Sequence, residues 1–177
     1  LYSALDRPED ALKQYQQAVR IDDQFFPAKV NLAILYSQLG QNEPAEKLLR
    51  EVVAEQPELY EAAYSLGLLL VELQNYREGV KYLEQASRGL PGRARIHYNL
   101  GLLYTHLQNI MSAENELRAA LVLEPQNLDF QYGLAEHYLK RGLLEKARPI
   151  VEDMVSMHPE NPIGMQMLSF IQKNTGR

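Results

Sequence analysis

The chain has 177 residues, 46% hydrophobic and 23% charged, the balance of an ordinary folded domain, which argues against disorder. A net charge of −5 removes the cationic footprint that duplex nucleic acid or an anionic membrane surface requires. No apolar run approaches the roughly eighteen residues of a membrane span, no signal-peptide pattern opens the chain, and the absence of cysteine excludes disulfides and thiolate zinc sites. None of this fixes the compartment; a cytoplasmic location is favoured, with a periplasmic one as the alternative.

From the N-terminus, Leu1 to Asp6 read as the tail of one helix, and Leu12, Tyr15 and Val19 as the apolar stripe of the next. Beyond them the chain repeats itself. Prolines 57, 91, 125 and 159 fall thirty-four residues apart, as do Leu32, Leu66, Leu100, Leu134 and Leu168. The residue after each leucine is small: Ala33, Gly67, Gly101, Ala135 or Ser169. Four places after it stands Tyr36, Leu70, Tyr104 or Tyr138, until Gln172 in the last copy. A second apolar stripe follows, such as Ala45, Leu49 and Val52, or Ala113, Leu117 and Ala120. Spacings of three, four and seven are helical, so each period encodes two helices. The first ends at a turn such as Leu39-Gly40-Gln41-Asn42 or Arg141-Gly142-Leu143, where glycine supplies a left-handed stop. The second begins near Glu43, Arg77 or Glu145 and ends at the proline. Pro149 lies inside one of these second helices and predicts a kink or a delayed start there. A last helix from Pro162 places Leu168 and Ile171 inward and offers Gln172, Lys173 and Asn174 to water, as a terminal cap does.

The order Leu-small-x-x-Tyr, then Ala, a large apolar residue, Ala and Pro over thirty-four residues resembles the tetratricopeptide repeat. The resemblance covers the whole chain and implies an all-α, right-handed α-solenoid of stacked antiparallel helix pairs. It implies a single array: a partial repeat over 1–25, full repeats over 26–59, 60–93, 94–127 and 128–161, and a capping helix over 162–177. Departures are few. The aromatic usual at the fourth place is replaced by Lys29, Ala63, His97, Gln131 and Met165, which we expect to be semi-exposed, and Asp23 stands where the first proline belongs. Small residues let neighbouring helices approach, and one pair buries only part of its apolar surface, so pairs must stack.

Function in such an array is argued from the face that the first helices leave open. There Tyr64, Tyr98 and Tyr132 recur at the same interval, with Asn31 and Asn99 one place further on in their repeats. Val30, Ile34, Leu68, Val71, Leu102 and Leu139 are expected around them, fringed by Arg95, His106, Glu136 and other polar residues. Tyrosine offers rigid contact area and a hydroxyl, and the asparagine amide can both donate to and accept from a peptide backbone. The partner-binding set is therefore Asn31, Tyr64, Arg95, Tyr98, Asn99, His106, Tyr132 and Glu136, with a protein or peptide as partner; the same tyrosines and asparagines can equally serve helix packing. The co-chaperone type of this family, which clamps a terminal carboxylate, needs a lysine where Val30, Tyr64 and Tyr98 stand, so that clamp is absent.

Catalytic and metal readings find little support. His97, His106, His137 and His158 show no ligand spacing, and Gly67, Gly79 and Gly101 sit inside helical patterns rather than in a phosphate loop. Glu136 and His137 are adjacent on a helix, diverge, and have no nucleophile beside them; they read as a solvated carboxylate and a packed imidazole. Arg88, Arg93 and Arg95, and the carboxylates from Glu43 to Glu61, read as solvated charge. No enzyme activity, cofactor or metal is expected. Two functions remain: a protein-interaction scaffold, or an accessory domain of a larger enzyme, since the repeats look somewhat like those fused to bacterial multihaem cytochromes or to glycosyltransferases. Because the sequence begins at Leu1, we also expect further repeats upstream and, in the isolated chain, homo-oligomer formation or fraying at the N-terminal flank.

Overall fold

The computed structural model describes residues 8–175; the expectation for Leu1 to Asp6 lies outside the described residues. Among them are ten α-helices and no strand. In order they are α1 (Pro8–Ile21), α2 (Phe26–Gln38), α3 (Asn42–Glu55), α4 (Tyr60–Glu72), α5 (Tyr76–Gly89), α6 (Ala94–His106), α7 (Ile110–Leu123), α8 (Leu128–Leu139), α9 (Leu144–Met157) and α10 (Pro162–Asn174). The starts of α2, α4, α6, α8 and α10 follow the thirty-four-residue interval of the sequence.

Two kinds of punctuation separate these helices. After each first helix one residue takes a left-handed conformation: Gly40 (φ 73°), Gln74 (φ 62°), Gln108 (φ 60°) and Gly142 (φ 68°). The next N–H then reaches back to the carbonyl five residues earlier, as from Gln41 to Tyr36 (2.8 Å), Asn75 to Leu70 (2.8 Å), Asn109 to Tyr104 (2.9 Å) and Leu143 to Tyr138 (3.0 Å). This bond satisfies a carbonyl that the helix end would leave orphaned. Each second helix stops two residues before its proline. The intervening Gln56, Leu90, Glu124 and His158 leave helical geometry, with φ between −126° and −133° and ψ between 56° and 77°, because the proline ring disfavours the helical region in the residue before it. Asn127 and Asn161 then cap the following helices by accepting from the N–H of Asp129 (3.1 Å) and Ile163 (2.9 Å).

The chain divides into two compact units, residues 1–91 and 92–177. In the first, α1 packs on α2, α2 on α3 and α4, α3 on α4, and α4 on α5, around Ala33, Leu49, Val52, Leu66 and Leu70. Arg50 on α3 donates to Glu46 (2.7 Å) and, through both ends of its fork, to the two oxygens of Glu78 on α5 (2.6 and 2.7 Å). The second unit packs α6 on α7 and α8, α7 on α8, α8 on α9, and α9 on α10, around Leu117, Leu134, Tyr138, Val151, Met154 and Ile171. Each fully buried leucine removes enough apolar surface to contribute about 1.5–3 kcal/mol.

The small residues after the leucines have a steric cause. A Cβ on Gly67 would lie 2.8 Å from Cγ of Leu83, and one on Gly101 would lie 2.6 Å from Cγ of Leu117. In each pair the leucine of the second helix seats directly on the bare backbone of the first.

Several expectations are corrected. The fourth place of the repeat is not semi-exposed: Lys29, Ala63 and Gln131 are buried and His97 is half-buried, leaving only Met165 well exposed. Burial is tolerated because each polar one finds a partner, although the Gln131 side-chain oxygen has none among the described residues. Lys29 pairs with Glu51 beneath the Phe26 ring, His97 meets Glu116 at 2.7 Å, and Gln131 donates to the Pro125 carbonyl at 2.9 Å. Glu46 and Glu51 are thus engaged rather than merely solvated. Val30 belongs to the core, not to an open face. Pro149 does not delay its helix, since α9 begins at Leu144 and continues through it. In α10, Ile171 is buried and Gln172, Lys173 and Asn174 face water, but Ile163, Met165 and Phe170 are exposed beside them.

Candidate protein-interaction surface

In the second unit, α6 and α8 lie side by side and bring four of the sequence-predicted residues into one cluster. Arg95, in the first turn of α6, holds its guanidinium 4.9 Å from the Phe130 ring centroid and 5.5 Å from that of Tyr98. Its Nη1 donates to Asp129 at 3.2 Å. The Tyr98 and Phe130 rings pack against each other at 4.9 Å, and a Cβ on Gly133 would strike Tyr98 at 2.7 Å, so glycine there is what admits the tyrosine. One turn along α8 the Tyr132 hydroxyl donates to Glu136 (3.0 Å), whose other oxygen takes Lys140 (3.1 Å).

The electrostatics follow from these contacts. Burial, seconded by the Asp129 carboxylate, pushes the Tyr98 hydroxyl above the ordinary tyrosine range. The hydrogen bond to Glu136 does the same for Tyr132. Both hydroxyls therefore stay protonated and able to donate at neutral pH. The result is a guanidinium held over two rings beside a second, anchored tyrosine: a mixed aromatic and charged surface with little freedom to lose on binding.

The remaining predicted residues are more scattered. Asn99 is half-buried on α6, and His106 is exposed at its C-terminal end. Asn31 is exposed on α2 and Tyr64 half-buried on α4, both in the first unit. At one place of the repeat stand Ile34 and Leu68 in the first unit and Leu102 in the second, 37%, 36% and 42% exposed, and Glu136 holds that place in α8. Tyr98 has two tasks, since its ring also belongs to the core around Ala94, Ala120 and Phe130.

Phe130 is the residue that sequence reasoning missed. It is buried, and it stands one interval after Ile96 and two after Ala62, which are buried as well. The repeat register thus marked it as an inward position and gave no sign of the cation above it. Arg95, read as possible solvated charge beside Arg88 and Arg93, is instead a stacked one. His137 is packed, as expected, but neither of its ring nitrogens has a hydrogen-bond partner among the described residues. No group of three or more His, Asp or Glu among those residues could hold a metal, and no helix is long and apolar enough to cross a membrane.

Comparison with known proteins places this geometry in a family. The chain superimposes on YrrB, described as a TPR protein with an unusual peptide-binding site, with a TM-score of 0.80 at 17% identity, over 92% of this chain and 84% of that one. MamA from Desulfovibrio magneticus RS-1 matches with a TM-score of 0.79 at 21% identity, over 89% and 90%. The thermophilic TPR protein TTC0263 of Thermus thermophilus matches with a TM-score of 0.69 at 26% identity, over 96% and 92%. No curated protein matches the sequence. One tetratricopeptide repeat model matches residues 3–67 and 112–168, and two further models of that repeat match 64–110 and 94–127. The periodic sequence, the stacked helix pairs and these matches agree: the chain is an α-solenoid and belongs to the tetratricopeptide repeat family.

Proposed function

We propose that the chain is a non-enzymatic interaction module that captures an extended segment or a helix of a partner protein on the exposed face of its first helices. The observation that supports this is the Arg95 platform. A guanidinium stacked on Tyr98 and Phe130 and fixed by Asp129 is already ordered, so a ligand that meets it loses little entropy in the encounter. On α6, Arg95, Tyr98, Asn99, Leu102 and His106 follow helical spacing and form one stripe, with Tyr132 and Glu136 contributing from α8. Tyr64 and Asn31 serve the same purpose on α4 and α2. That YrrB carries a peptide-binding site on this fold agrees with the reading.

The test is a peptide-display selection on the described chain, followed by affinity measurement of the recovered peptide. Arg95→Glu and Leu102→Asp should both weaken binding at least tenfold; Leu102→Asp, at an exposed position, should leave the melting temperature nearly unchanged, whereas Arg95→Glu, which sets a second carboxylate beside Asp129, should lower it modestly. If neither variant alters affinity, the stripe on α6 does not carry the interaction.

A further inference from the structure

A second surface in the same unit is built differently. Between α7 and α9 runs an open cleft of about 590 Å³ whose floor is Leu134 and Tyr138 of α8. These two residues lie on the side of α8 opposite to Tyr132 and Glu136, so the cleft is separate from the Arg95 platform. Leu121 and Val122 of α7 form one wall and Ile150 of α9 the other. Val122 is 77% exposed although it is a large aliphatic residue, and it flanks the opening.

The rim of this cleft is cationic. Arg118 and Lys146 both line it, and their side chains are 63% and 52% exposed. Between them stands a single carboxylate, Glu114. One of its oxygens already accepts from Tyr138 (2.9 Å) and from Lys146 (3.0 Å). Arg118 approaches that same oxygen only to 3.9 Å, beyond hydrogen-bonding distance. Two cations thus share one carboxylate, leaving a local positive excess on a chain whose net charge is −5. Arg118 also reaches the Tyr138 hydroxyl, yet its guanidinium is largely exposed and carries further donors for a carboxylate from outside.

We propose that this cleft is a docking site for an acidic, leucine-rich segment of another protein: an aliphatic side chain enters between Val122 and Ile150, and a neighbouring glutamate or aspartate meets Arg118. An apolar trough with a few placed charges at its edge gives such a segment both affinity and orientation. The site is independent of the interaction face on α6 and α8.

The probe is the blocked hexapeptide acetyl-Glu-Glu-Leu-Leu-Glu-Glu-amide, titrated into methyl-labelled full chain and followed by NMR. Saturable shifts are expected at the methyls of Val122, Leu121 and Ile150, weakening as salt is added. Replacing the glutamates of the probe by lysine, or its leucines by serine, should reduce affinity at least tenfold. Arg118→Glu and Val122→Asp, both at exposed positions, should do the same with an unchanged melting temperature. The proposal is overturned if the cleft methyls do not shift, if the lysine peptide binds equally well, or if neither variant weakens binding. Shifts confined to the Leu102 and Ile34 methyls would also overturn it while favouring the other face.

Discussion

In the first unit, Leu83 of α5 sits on Gly67 of α4; in the second, Leu117 of α7 sits on Gly101 of α6, and the two contacts are nearly superimposable in distance. Ten residues into their helices the units part company. Leu35 and Leu69 of the first unit are buried, as is Leu103 of the second, but the equivalent place in α8 holds His137, also buried and unpaired. Steric contacts are copied from repeat to repeat because close packing tolerates little variation. Polar chemistry is not copied, and each unit has its own: the Arg50 fork and the buried Lys29–Glu51 pair lie in the first, His137, the Glu114 cluster and the Arg95 platform in the second.

The largest effects should come from the copied contact. Leu83→Ala and Leu117→Ala each leave a cavity at a fully buried site and should cost about 2–5 kcal/mol in denaturant unfolding. Similar losses in both units would sharpen the comparison, whereas a loss in only one would break it. Gly67→Ala and Gly101→Ala approach the same contact from the other side. Each places a methyl within 3 Å of a leucine branch point, with backbone just behind, and should cost about 1–3 kcal/mol.

His137→Leu restores the residue of the other repeats and should stabilise the chain by about 1–3 kcal/mol at neutral pH, because it removes a buried, unsatisfied polar ring. A pH dependence accompanies it. Burial, with Arg141 next, holds the His137 pKa below the ordinary value. The unfolded imidazole therefore takes up its proton first, near pH 6.5, and stability falls as pH drops from there through the lower folded value. Unfolding of wild type and variant at pH 7.5 and pH 5 decides the matter: the variant should lose less stability on acidification, and equal losses would exclude His137 as a source. The smallest effect concerns the turns. Gln74 and Gln108 adopt the left-handed geometry that Gly40 and Gly142 adopt without strain, so Gln74→Gly and Gln108→Gly should each stabilise by up to about 1 kcal/mol in thermal melts. A loss of stability would show that those side chains contribute more than their backbone strain costs.

These positions also mark how far the sequence could be read. The helix pairs and the seating of large residues on small ones were legible, since both follow from one interval and from side-chain volume. The left-handed glutamines were not, because glutamine carries no turn signal of its own. Lys29 was misplaced because a lysine reads as surface charge until Glu51, a full helix away, is seen beside it. The candidate binding residues were nameable by position, but the stacking of Arg95 on Phe130 depends on how α6 approaches α8, and periodicity fixes order rather than approach. The cleft between α7 and α9 was invisible for the same reason: its walls come from residues that each look ordinary alone.

The Arg50 fork has a consequence beyond its modest energy. The pairs are half-buried, and forming them sacrifices hydration and side-chain freedom, which offsets part of what the bidentate contact contributes. Yet Arg50 meets Glu46 on its own helix and both oxygens of Glu78 on α5, so its donors are satisfied only at one relative height of the two helices. Sliding α5 by a single turn, about 5.4 Å, would break both distal bonds together rather than stretch them one at a time. The arginine thus works as a vernier: besides what it adds to holding α3 and α5 together, it discriminates sharply among the offsets at which they sit.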